Sequence, residues 1–262
     1  MATPAPPESA LGRVAELVEP EWRDAATDQS GYLNLLGAPP PSSPNPVQDI
    51  MLSGALPKVY ERWWRPAWGR LAKGLRGPSM EDEHRIASRL LELHPGDGVL
   101  DVACGTGNFT RRFARAVGPE GLAVGSDLSE TMLTRAVTDT AKAELSAQTA
   151  YVRCDAEHLP FGDHTFDAAC CFAGLNLMND PLLAIDEMSR VLVPGGRIAL
   201  FTSARFRTPG LRAWQIAGSM QSGMTMFEPD ALTGALERNG FGDIRQLTTG
   251  TTQFVGGVLT SP

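Results

Sequence analysis

Val99-Leu100-Asp101-Val102-Ala103-Cys104-Gly105-Thr106-Gly107-Asn108-Phe109-Thr110 reads as a strand, a turn and the first residues of a helix. Val99 to Ala103 is a short apolar run. Phe109, Phe113 and Val117 then recur near helical spacing, so the hydrophobic period changes across the two glycines. Gly105 and Gly107 permit a tight turn in which backbone comes close to a ligand where a Cβ would collide. The helix that follows opens with N–H groups that have no partner within it. A nucleotide-type ligand is the expectation.

The same alternation continues downstream. Further apolar runs occupy 122–127, 150–155, 166–172 and 196–201, and each of the first four runs, counting 99–103 as the first of five, is followed by a helix-like stretch. This pattern predicts a parallel sheet with crossover helices. Beyond the fifth run, Phe206 to Phe227 is irregular and rich in methionine. A helix is expected at 228–238, then two closing strands from Ile-Arg-Gln-Leu-Thr at 244–248 and Gln-Phe-Val-Gly-Gly-Val at 253–258. In such sheets ligands bind outside the carboxyl ends of the strands, where the strand order reverses.

Upstream, 78–93 predicts a helix with Ser79 as N-cap, acids in the first turn, and Ile86, Leu90 and Leu93 on one side. Before it, Lys58 to Leu71 carries Tyr60, Trp63, Trp64 and Trp68 at near-helical spacing, as a packing face or a lid over substrate. The proline-dense 38–46 cannot continue helix or sheet and marks a linker. Ahead of it lie an amphipathic stretch, Leu11 to Trp22, and Gly-Tyr-Leu-Asn-Leu-Leu at 31–36. Together they are too little for a core, and either pack on the main body or stay partly mobile. The chain thus divides into an extension with linker at 1–50, a helical lead-in or lid at 51–96, and a main domain at 97–262.

Composition narrows the function. A length of 262 residues suits one α/β core with an appendage, and no apolar run is long enough to span a bilayer. Residues 1–9 lack both the basic start and the apolar stretch of a secretory signal, so a cytoplasmic protein without membrane insertion is expected. A net charge of −7 argues against a phosphate-tracking surface and for a small-molecule partner rather than nucleic acid. The four cysteines, at 104, 154, 170 and 171, have no paired zinc spacing, so no metal is expected. They read as buried core, with a reactive thiol as the alternative.

A glycine turn after a strand also serves dinucleotides, through Gly-x-Gly-x-x-Gly. Here the third glycine position is Thr110, and Asp101 lies inside the strand, where a pyrophosphate would gain nothing from a carboxylate. A ligand with a sulfonium and an ammonium would gain from it. Asp101 therefore points toward S-adenosylmethionine.

Asp-Val-Ala-Cys-Gly-Thr-Gly at 101–107 resembles the first motif of class I S-adenosylmethionine-dependent methyltransferases. Asp127 resembles the family's ribose-binding acid. Cys-Asp-Ala-Glu-His-Leu-Pro-Phe at 154–161 resembles the adenine-binding motif, and Glu187 to Ile198 the helix and Pro-Gly-Gly turn before the fifth strand. The resemblance implies a Rossmann-like, doubly wound α/β fold with seven strands, mostly parallel with an antiparallel last strand, plus an N-terminal helical extension. It implies S-adenosylmethionine as cofactor, held by Asp101, Ala103, Cys104, Gly105, Thr106, Gly107, Asn108, Asp127, Leu128, Met132, Asp155, Ala156 and Phe172. Asp127 would accept the ribose hydroxyls, Asp155 would take the adenine amine, and Ala156 would offer its N–H. Residues 171–181 are similar to the segment after the fourth strand in ubiquinone/menaquinone-type C-methyltransferases, and 59–66 to plastid and bacterial relatives of uncertain substrate. Related ribosomal-RNA methyltransferases carry a Cys-rich zinc ribbon in front. This chain has no cysteine before Cys104, which weakens an RNA reading.

The implied activity is methyl transfer to O, C or N of a small apolar or aromatic acceptor. The competing readings are a cofactor-binding protein without turnover, an rRNA methyltransferase relative and a dinucleotide oxidoreductase. Asn176, Tyr60, Trp64, Trp214 and Met224 are the expected acceptor contacts. Such a displacement needs alignment more than proton transfer. If a base is used, His158 is the candidate, although His84, His94, His158 and His164 all sit in polar stretches and read as solvated surface.

Overall fold

The computed structural model describes residues 9–23, 27–28, 31–36, 78–206 and 225–260. The proline-dense linker, the aromatic stretch at 58–71 and most of the methionine-rich segment lie outside the described residues, as do the proposed contacts Tyr60, Trp64, Trp214 and Met224.

The strands are β1 Thr27–Asp28, β2 Leu33–Asn34, β3 Gly98–Val102, β4 Leu122–Asp127, β5 Thr149–Arg153, β6 Phe166–Phe172, β7 Leu192–Ser203, β8 Phe241–Thr249 and β9 Thr252–Leu259. They form one nine-stranded sheet in the order β1-β2-β5-β4-β3-β6-β7-β9-β8. From β5 to β8 this is the expected seven-stranded arrangement, with the last strand of the sequence, β9, antiparallel to both neighbours. The sheet is wider than expected because the front piece adds two strands of two residues each. β2 pairs parallel to β5, and β1 antiparallel to β2.

Helices α1 Ala10–Leu17, α2 Pro20–Arg23, α3 Met80–Leu91, α4 Asn108–Val117, α5 Glu130–Lys142, α6 Pro181–Arg190 and α7 Ala231–Arg238 cover the two faces. Side chains alternate across β3 as a strand requires. Leu100 and Val102 join a core with α1, α6 and α7, while Val99 faces α3 and α4 with Phe113 and Leu91. Ser79 caps α3 as expected, exchanging hydrogen bonds with Asp82 in a capping box. Ala87 and Leu91 are its fully buried residues, with Ile86, Leu90 and Leu93 packed partly against the same core. No helix among the described residues is long and apolar enough to cross a membrane.

Two expectations are corrected. The third crossover has no helix: after β5 the chain runs irregularly through 154–165, where Asp155 accepts the Glu157 N–H in a local turn and Pro160 interrupts. Its backbone is held from outside, since Arg190 donates to the carbonyls of Leu159 and Phe161. The front piece covers the sheet instead, with Ala10, Val14 and Val18 of the α1 region packed in one core with Val152 and Phe161. The other correction is His84, which is 6% exposed and meets Phe109 edge-on at 4.4 Å between ring centroids, rather than lying in solvent.

Candidate functional site

The chain visits β3, β4 and β5 on one side of the sheet and β6 and β7 on the other, so strand order reverses beside β3. The turns after β3, β4, β5 and β6 converge there on one cleft. Asp101, Ala103, Cys104, Gly105, Thr106, Asn108, Asp127, Leu128, Met132, Asp155, Ala156 and Phe172 all line it. Twelve of the thirteen positions expected at the cofactor are thus brought together. Gly107 lies behind the wall, at the N-terminus of α4, with a φ of 71° that favours glycine. A Cβ there would run into the Tyr151 phenol, whose oxygen is hydrogen-bonded to Thr140 at 2.8 Å.

The cleft floor is a mesh of backbone and carboxylates. Gly105 N–H donates to Asp127 Oδ2 and Ser129 N–H to Oδ1, both at 2.8 Å, so the acid that ends β4 is locked against the turn after β3. Each carboxylate oxygen retains further acceptor capacity. Asp101, 2% exposed, accepts the Thr110 hydroxyl at 2.5 Å and faces the Cys170 thiol at 3.5 Å. Burial pushes the Asp101 carboxyl up to about 6, against the hydrogen bonds from Thr110 and Cys170 that pull it down. Burial raises Asp127 as well, although the N–H groups of Ser129 and Gly105 oppose it.

Ten further lining residues escaped the sequence reading. Among them, Glu157 Oε1 accepts the N–H groups of Asn179 and Asp180, tying the turn after β5 to the start of α6. Ala103 and Ala173, at the ends of the adjacent strands β3 and β6, have φ of 55° and 69°, costing about 1–2 kcal/mol each. Alanine gives no sequence signal for that geometry. Beside Ala173, Gly174 lies where a Cβ would meet Ala103. Phe109 and Phe172 stack at 4.4 Å and close one wall.

The lining carries four carboxylates, Asp101, Asp127, Asp155 and Glu157, and among its described residues no Lys, Arg or His. Cys104 also lines it, but burial and the nearby Asp127 and Asp101 carboxylates hold its thiol well above the usual range. Cys154 and Cys171 are pushed up to about 12 by burial, as befits core residues.

Other expected positions fall elsewhere. His158 is exposed and outside the lining. Asn176 also lies outside it, 4% exposed, with its amide committed: Nδ2 donates to Ser203 Oγ at 2.5 Å and Thr225 O at 2.6 Å, and Oδ1 accepts from Thr202 Oγ1 at 2.6 Å. A short polar side chain so occupied has little left to offer an acceptor.

Comparison with known proteins agrees with this geometry. Residues 99–196 match the methyltransferase domain family. Two relatives are ubiquinone/menaquinone biosynthesis C-methyltransferases UbiE. That of Saccharophagus degradans is 42% identical over 121 residues, 45% of this chain and 49% of the relative. That of Burkholderia mallei is 37% identical over 124 residues, 47% of this chain and 50% of the relative. The chain spans about half the length of the curated relatives it matches. Among solved structures, a putative methyltransferase from Bacillus halodurans superposes with a TM-score of 0.59 at 18% identity, covering 68% of this chain and 99% of that one. The [4+2]-cyclase SpnF gives 0.61 at 20%, covering 71% and 84%. These two show the fold alone. The matched residues run from β3 into β7 and carry Asp127 at the end of β4 and Asp155 after β5, so this stretch of the chain is a methyltransferase domain similar to those of the class I S-adenosylmethionine-dependent enzymes.

Proposed function

We propose that this chain transfers the methyl group of S-adenosylmethionine to a small, uncharged, apolar or aromatic acceptor in the cytoplasm, with carbon the acceptor atom that its relatives' names favour over O or N. The observation that carries the reading is the charge of the cleft, four carboxylates with no cationic side chain among its described lining. A pyrophosphate placed about 6 Å from one such carboxylate would be repelled by roughly 3 kcal/mol per charge pair at an effective dielectric of about 20. A ligand with a sulfonium and an ammonium is attracted instead, which favours S-adenosylmethionine over a dinucleotide.

The residues fit that ligand. Asp101 would face its cationic end, Asp127 its ribose hydroxyls, and Asp155 with the Ala156 N–H its adenine. Gly105 leaves backbone accessible where a side chain would intrude. When bound, the cofactor supplies an electrophilic methyl carbon on sulfur. The chain's own task is alignment and exclusion of water, which can contribute up to roughly 7–11 kcal/mol in favourable systems. Phe172, Leu177 and Met178 provide apolar surface for that purpose. Tyr60, Trp64, Trp214 and Met224 remain the proposed acceptor contacts. The net charge of −7 supports a small-molecule acceptor over RNA.

The test is a thermal shift with S-adenosylhomocysteine and with NAD(H), followed by transfer of labelled methyl to extracts of the native host. Stabilisation by the first ligand alone, with label in a small organic product, is expected. Stabilisation by NAD(H) instead, or tight cofactor binding with no acceptor labelled, would defeat the reading.

A further inference from the structure

The front piece reaches the cleft through one buried arginine. In the sheet, Asn34 of β2 lies opposite Arg153 of β5, and Arg153 lies opposite Asp127 of β4, so the three residues share one row across three strands. The Arg153 side chain is 3% exposed. Its Nε donates to Leu128 O at 3.0 Å, and its Nη1 donates to Asn34 Oδ1 at 3.3 Å and pairs with Glu130 Oε1 at 2.8 Å. One guanidinium therefore holds both the front piece and the turn from Asp127 to Glu130.

That turn is part of the cleft: Leu128 lines it, and Ser129 N–H orients Asp127 Oδ1. Asn34 is itself fixed, being 1% exposed with its Oδ1 also accepting the Leu36 N–H at 3.2 Å. Leu35 N–H donates to Arg153 O at 3.0 Å. Tyr32, 3% exposed, packs with Leu133 and Ala136 of α5, the helix that begins at the same turn. A buried guanidinium must keep its donors satisfied, so losing one partner shifts the whole group.

We propose that residues 31–36 belong to the support of the cofactor site, with Asn34 acting through Arg153 as a positioning residue that sets the turn carrying Asp127. This rests on the reading that Asp127 accepts the ribose hydroxyls. Asn34→Leu removes the acceptor, Asn34→Asp retains it, and Glu130→Gln weakens the same guanidinium from an exposed position where folding is not at risk.

Calorimetry on the full chain with S-adenosylhomocysteine and its 2′,3′-dideoxy counterpart tests the proposal. Asn34→Leu weakens S-adenosylhomocysteine roughly fivefold and Glu130→Gln about twofold. Asn34→Asp binds as the wild type does, and the dideoxy ligand binds all variants alike. A packing role alone would lower melting temperature and leave both affinities in their wild-type ratio, which overturns the proposal. Unchanged affinity in Glu130→Gln together with Asn34→Leu overturns it too. Wild-type protein that fails to bind S-adenosylhomocysteine at all would instead defeat the proposed function on which the inference rests.

Discussion

Thr110, in the first turn of α4, donates its hydroxyl hydrogen to Asp101 Oδ2 across 2.5 Å, with both side chains buried. The residue that stands where a dinucleotide fold would have its third glycine therefore has a positive task, holding the strand acid in place. Hydrogen bonds to a charged group are worth about 1.5–3 kcal/mol. Thr110→Val keeps the shape and removes the donor, so the Asp101 carboxyl moves further above 6 and S-adenosylhomocysteine binding at neutral pH falls roughly tenfold. Calorimetry at pH 7 and 9 checks this, because the deficit shrinks at the higher pH if lost ionisation is its cause.

Cofactor affinity in the wild-type protein should follow the same carboxyl. Burial pushes the Asp101 carboxyl up to about 6 in the free protein, and the ammonium group of S-adenosylhomocysteine would be attracted by its ionised form. Affinity for S-adenosylhomocysteine should hold above pH 7 and fall below 6 with a limiting slope of about tenfold per pH unit. The free protein shows the opposite trend. With a folded-state value above the unfolded one, Asp101 binds its proton more tightly when folded. Its contribution to stability is greatest below about pH 4 and is lost as pH rises through 6. Asp101→Asn should therefore raise the melting temperature of the free protein at pH 7 while lowering cofactor affinity. A melting temperature that falls at pH 7 would refute the assignment.

Much of this site was legible in the chain because it depends on local patterns. The change of period across Gly105 and Gly107 marks the β3–α4 turn, and Asp127 at the end of β4 and Asp155 after β5 follow from apolar runs that end where the strands do. The added edge strands were not legible: β2 is two residues long, and its partner β5 lies more than a hundred positions away. His84 was misjudged because its neighbours Glu81, Asp82, Glu83 and Arg85 are charged, yet it is spaced with Ala87 and Leu91 on the buried side of α3. Composition misled where periodicity would have served. Glu157 and Asn176 owe their roles to contacts 22 and 49 positions away, which no local pattern reports.

The two glycines of the turn should separate by experiment. Gly105 has φ 56° and open space where a Cβ would project, and it lines the cleft. Gly105→Ala should cost about 1–2 kcal/mol of stability from backbone conformation alone, and should lose most of its cofactor affinity. Gly107 has φ 71° with the Tyr151 ring behind it, so Gly107→Ala adds a clash to the same conformational cost. Thermal melting should fall further for Gly107→Ala than for Gly105→Ala. Equal losses in both measurements would mean that Tyr151 moves aside.

Asn176 offers the sharpest contrast between a substrate contact and a structural one. Its amide joins the turn after β6 to Thr202 and Ser203 at the end of β7 and to Thr225, and its own carbonyl accepts the Thr225 N–H at 2.9 Å. Asn176→Ala strips four hydrogen bonds from buried or half-buried partners, at a cost of about 2–4 kcal/mol. For a chain of this size that lowers the melting temperature by roughly 4–16 °C. An acceptor contact would behave differently, raising the KM for the acceptor with melting unchanged. Because Leu177 and Met178 follow directly and line the cleft, kcat should fall along with stability while S-adenosylhomocysteine affinity, set on the other side of β3, holds near the wild-type value. Full melting stability with a raised acceptor KM would return Asn176 to the substrate.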